Sequence, residues 1–181
     1  MNHLLHLTIT LLSCHAVATA ADSHTLKSPD QNVALILSLK EGVPHWSVKL
    51  GQHVVLADSR LGLQQTPVAK VDQQTSLSFT TTESDSSWKP VWGKASTVRN
   101  DYNEARWSLK PKAGGAGAAG WTIVLRAYDH GAAVRYEYEG KGKSTFASDR
   151  TEFHFSGDFT CWSANGENAN IGPVPLSKFK G

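Results

Sequence analysis

The chain has 181 residues, 40% of them hydrophobic, which is enough for one domain with a sizeable core and too short for two comfortable ones. Eighteen Lys and Arg against sixteen Asp and Glu leave a net charge of +2. No basic run or stripe stands out that could follow a phosphate backbone, so nucleic acid is not expected as a partner.

The first predicted element lies outside the fold. Residues 1–20 carry no charged side chain, and Leu4 to Cys14 form an apolar segment of secretory length, followed by the small residues Ala18, Thr19 and Ala20. A signal peptide over 1–20, cleaved before Ala21, is therefore expected, with 21–181 as an exported domain. "LLSC", Leu11 to Cys14, also resembles a lipoprotein cleavage site, in which case a lipid on Cys14 would tie the chain to a membrane. The alanine-rich stretch after Cys14 favours the ordinary signal. Its removal leaves Cys161 as the only cysteine, so no intramolecular disulfide can brace the exported chain and a large core must supply the stability. Cys161, between Thr160 and Trp162 and without a Cys-His signature, reads as a small buried apolar group.

From there on apolar residues recur with period two, the spacing of strands with one wet face. Val33, Leu35, Leu37 and Leu39 share a face; Trp46, Val48 and Leu50 share another, and Gly51-Gln52 turns the chain back into "HVVLA". In that hairpin His53 should face Leu50, and His45 should lie near Asp58. "TSLSFTT" alternates Leu77 and Phe79 with serines, and "NEARWSLK" alternates Ala105, Trp107 and Leu109 with Glu104, Arg106 and Ser108. Between those two segments "SSWKPVWGK" holds Trp88 and Trp92 around Pro90. In an extended segment both rings project from one face, where they could stack on apolar sugar faces. Pro90 equally marks an edge strand or bulge, where two rings would plug the end of a sandwich, and the pattern favours that plug.

The sharpest signal is "WTIVLRAYDHGAAVRYEYEG", two strands expected to close around His130-Gly131. Pairing Asp129 with Ala132 sets Ala127 opposite Val134, Leu125 opposite Tyr136 and Ile123 opposite Tyr138, with Arg126 against Arg135 on the solvated face. Ala113 to Gly120 has no large side chain to bury and reads as a loop between strands. Many short strands joined by Gly, Pro, Asn and Asp turns predict an all-β, antiparallel sandwich. No histidine pair has the spacing of a zinc helix. The carboxylates, including Asp101, Glu104, Glu137, Glu139, Glu152 and Asp158, read as solvated strand edges.

Taken in order, "SPDQNVALILSL", "SRLGL", "WKPVWGK", "VRNDYNEARWSL" and "LRAYDHGAAVRYEYEG" resemble the amino-terminal domain of glycoside hydrolase family 97. The resemblance implies a β-super-sandwich of the galactose-mutarotase-like kind, over 21–181 and incomplete at its carboxy-terminal end. It belongs to exported bacterial α-glucosidases and α-galactosidases, periplasmic or secreted. In that family the sandwich packs on a catalytic (β/α)8 barrel that holds the acid and the base, so no catalytic residue is named in this chain, and alone it is expected to be inactive. The implied function is that of a carbohydrate-binding accessory domain, with an α-glucoside or α-galactoside and the barrel as partners. The alternative is a stand-alone exported sugar-binding or structural β-sandwich module. A sandwich glutamate of the family helps to bind the active-site calcium, and aligning Pro175 to Phe179 puts it near Asn168, beside Glu167, where the chain departs from the family pattern; the Asn168 carbonyl with Glu167 could keep the site, and an ordinary Asn-Gly-rich loop is the equal alternative. One or two oxygens from these residues cannot satisfy a cation that takes six or more ligands, so calcium is expected only in the complete enzyme.

Overall fold

The computed structural model describes residues 23–65, 73–112, 119–140, 145–163 and 171–178. The expected signal peptide and most of the glycine-rich segment, 113–118, lie outside the described residues. Strands β1 (Ser23–Lys27), β2 (Val33–Lys40), β3 (Val43–Leu50) and β4 (His53–Arg60) form an antiparallel sheet in that order. After the short β5 (Leu63–Gln65), strands β6 (Gln74–Trp88), β7 (Val98–Pro111), β8 (Trp121–Tyr128) and β9 (Gly131–Tyr138) form a second antiparallel meander. β10 (Phe146–Asp149) returns to pair with β5, and β11 (Thr160–Ser163) pairs with β12 (Ile171–Pro175), which leads into a 3-10 turn at Leu176–Lys178.

The expected all-β sandwich is what forms, and the alternation explains why. Leu35 and Leu37 of the first sheet meet Trp107, Leu109, Ile123 and Leu125 of the second, all with no exposed surface. Each such aliphatic burial contributes about 1.5–3 kcal/mol. Tight turns fix the register of the first sheet: Glu41 (φ 50°) and Gly42 (φ 81°) close β2 on β3, a pair of left-handed residues that suits the twist of a hairpin. A Cβ on Gly42 would lie 2.8 Å from that of Gln73, so the turn also needs the missing side chain. Leu50 pairs with His53, and His45 Nδ1 lies 3.1 Å from Asp58 Oδ2, both as the pattern predicts.

Three expectations change. The β8–β9 hairpin turns at Asp129-His130, with Tyr128 opposite Gly131, so Ala127 faces Ala132, Leu125 faces Val134 and Ile123 faces Tyr136. The shift is one full pleat, which keeps every apolar residue on the core face and adds Trp121 opposite Tyr138. Asp129 is held in the turn because its Oδ1 accepts the Asp30 amide at 3.0 Å. With this register Arg126 faces Ala133 and not Arg135. Leu77 is the second departure: a bulge between Ser76 and Ser78 turns it out, 60% exposed, while Phe79 stacks on His24 at 3.9 Å inside. Glu104 is the third, since it is buried under Arg126 and is not a solvated edge residue.

Candidate functional site

The longest element is the β6–β7 hairpin. β7 pairs with β8 only as far as Asn103 opposite Ala127, whereas β6 and β7 stay paired out to Trp88 opposite Val98. Its outer part is therefore a two-stranded arm that runs past the end of β8. Along its inward face the chemistry changes at the same place. Phe79, Ala105 and Trp107 are core, and the next residues on that face are Thr81, Glu83, Asp85, Asp101 and Asn103.

The tip of the arm holds the predicted tryptophans. Trp88 is 55% exposed, Trp92 87%, and Val91 between them fully so. The plug reading is thereby corrected, for a physical reason: residues 89–97 form a loop at the outer end of the arm, beyond the sheet whose end the rings would have sealed. Trp88 closes β6 and Trp92 sits in that loop, so they do not lie on one face of a continuous strand.

A cleft of about 1070 Å³ opens at the base of the arm, between β6–β7 and the β1–β2 turn. Lys27, Ser28 and Gln31 line it from the turn, facing the polar wall described above. The wall is prearranged. Arg99 Nε and Nη2 donate to Asp85 at 3.2 and 3.3 Å, and Nη2 lies 2.8 Å from Asp101 Oδ2, an arrangement in which Asp85 first and then Asp101 hold the guanidinium charged. Asn103 Nδ2 donates to the Lys27 carbonyl at 2.9 Å and clasps the two walls together. Ser28 Oγ and the Asn32 amide donate to Asp30, fixing the turn and pulling that carboxyl below its usual range.

The outward face of the second sheet carries a different kind of polar group. Arg126 donates to Glu104 at 2.7 Å and sits 4.2 Å from the centre of the Tyr102 ring, which in turn packs on Tyr128. Arg106 lies between Glu104 and Glu137, and Arg135 donates to Glu137 at 2.5 Å. Arg106 first, with Arg135, holds the Glu137 carboxyl below its ordinary range. Each of these arginines spends its charge on a neighbour, so the ladder is structural.

Among the described residues no three His, Cys, Asp or Glu side chains gather closely enough to hold a metal ion. Glu167 and Asn168 lie outside the described residues. Cys161 is partly exposed where burial was expected, and its Sγ donates to the Val174 carbonyl at 3.4 Å. Among the described residues no helix is long and apolar enough to cross a membrane. The cleft residues are the ones sequence reasoning passed over. Their signal is the series Phe79, Thr81, Glu83, Asp85, one face of one strand turning polar where the packed core ends.

The family described as Glycosyl-hydrolase 97 N-terminal matches residues 26–172. A glycoside hydrolase family 97 enzyme from Pseudoalteromonas sp. strain K8, solved with panose and with acarbose, superposes with a TM-score of 0.64 at 22% identity. The match covers 77% of this chain and 22% of that one. A β-arabinopyranosidase superposes with a TM-score of 0.67 at 22% identity, over 82% of this chain and 24% of that one. This chain thus spans less than a quarter of the length of the solved enzymes it matches.

Proposed function

Because this chain belongs to the glycoside hydrolase family 97 amino-terminal domain family, we propose that it is a carbohydrate-binding accessory domain of an exported α-glucosidase or α-galactosidase. The observation that carries the carbohydrate role is the arm, whose tip presents Trp88 and Trp92 to solvent. An exposed indole offers a flat apolar surface to the C–H face of a sugar, and it gains from contact what it loses by standing in water. The solved relative that holds panose and acarbose supports an oligosaccharide as the partner.

Hydrolysis is assigned to the catalytic barrel expected beside this domain, because the family resemblance puts the acid and the base there. Calcium would belong to that complete enzyme, with Glu167 and Asn168 supplying at most a small part of the oxygen shell a hard cation takes. Export rests on the charge-free segment 1–20, which would direct the chain to the periplasm or the medium.

Fluorescence titration of the purified chain with panose tests the reading. The expected result is a saturable change in tryptophan emission that Trp92→Ala and Trp88→Ala each reduce. An emission unaffected by panose, or by other α-glucosides and α-galactosides, would favour a purely structural module.

A further inference from the structure

We infer that the cleft between the β1–β2 turn and the base of the β6–β7 arm is a second, separate binding site for a neutral oligosaccharide. The inference rests on the proposed carbohydrate role for its ligand class, but not on the tryptophans. Neither Trp88 nor Trp92 lines the cleft, whose arm wall runs from Thr81 to Asp85 on β6 with Asp101 and Asn103 on β7.

The lining selects the ligand. Glu83, Asp85 and Asp101 outnumber Lys27 and Arg99, so a phosphate, sulfate or uronate would meet net negative charge. An apolar ligand would strip water from hydroxyls and carboxylates and return nothing for it. A polyhydroxylated neutral molecule fits, because each carboxylate has about four acceptor sites and Arg99 takes only some of those on Asp85 and Asp101. The remaining sites face sugar hydroxyls as acceptors, Lys27 serves as a donor, and Thr81 and Gln31 can do either.

The volume of about 1070 Å³ is that of a ligand cleft and far more than a packing defect. The site is also built before the ligand arrives: Arg99 holds both aspartates, Asn103 joins the walls, and Asp129 pins the β1–β2 turn through the Asp30 amide. Groups already fixed lose little freedom on binding, which favours weak but selective contacts with hydroxyls.

Titration of the full chain with panose, followed by amide and indole chemical shifts in two-dimensional NMR, tests the inference. Saturable shifts of residues 81–85 and 101–103 are expected. Thr81→Trp, an exposed position on the cleft wall, should fill the site and abolish them, while Asp101→Asn should weaken binding about tenfold with the spectrum otherwise intact. Shifts confined to the indoles of Trp88 and Trp92 would overturn the cleft and leave the tryptophan reading standing. Cleft shifts that survive Thr81→Trp, or a sulfated trisaccharide that binds as well as panose, would overturn it too. No shift anywhere would remove both.

Discussion

Trp107 and Trp92 carry the same side chain to opposite ends of the exposure scale, 0% and 87%. Trp107 packs beneath His24 and donates from Nε1 to Ser76 Oγ at 3.0 Å, so Trp107→Ala removes a ring, a hydrogen bond and the packing around both. Its expected cost is about 3–5 kcal/mol in chemical denaturation. Trp92→Ala touches no core atom and should leave the unfolding midpoint within about 0.5 kcal/mol of the parent. Trp107 was legible in the sequence because Ala105 and Leu109 flank it at strand spacing and polar residues fill the alternate positions. Trp88 and Trp92 were not, since period two says which residues share a face and nothing about whether another sheet lies opposite. Leu77 was misleading for a related reason: a bulge inserts one residue and moves everything before it to the other face.

At the scale of an element, the β8–β9 hairpin marks what alternation can and cannot fix. Slipping by one residue would have put Arg135 in the core, so parity is dictated. A slip of two keeps the same face, and contacts distant in sequence choose between the two, among them the Asp30 amide donating to Asp129 and the Tyr136 hydroxyl bonded to Gly62 and Thr151. The hairpin also carries an acid-sensitive group. The Glu137 carboxyl is depressed below its ordinary value, so its contribution is fully present above that value and is lost as pH falls through the lower folded one. Stability should therefore decline with acidification below the ordinary carboxylate range. Glu137→Gln should flatten part of that decline in thermal melts, by a small amount because the side chain is 35% exposed. The β6–β7 hairpin makes a separate prediction. Residues 84–88 and 98–102 are beyond the last β8 pair, so their amides should exchange with solvent on the order of tenfold faster than those of 104–109. Hydrogen exchange read by mass spectrometry or NMR checks it, and uniform protection along both strands would contradict the two-stranded arm.

For the whole molecule, turns and periodicity announce a sandwich, but the cleft needs both sheets in place before its walls face each other. Ile123 is fully buried, while Phe153 and Phe155 remain exposed. Among the described residues β6 is an outer strand of its sheet, and Phe159 and Trp162 add apolar surface elsewhere. The purified chain is accordingly expected to self-associate. A concentration-dependent sedimentation coefficient would support this, and a monodisperse monomer with a sharp cooperative transition would count against it. The arm's change from apolar to polar along one face has a consequence over many generations. Because Thr81, Glu83, Asp85 and Asp101 project into the cleft beyond the packed core, a descendant could exchange them and acquire another ligand while inheriting Phe79, Ala105 and Trp107 unaltered. Novelty and inheritance would then run along the same two strands, divided by the line at which the packed core stops.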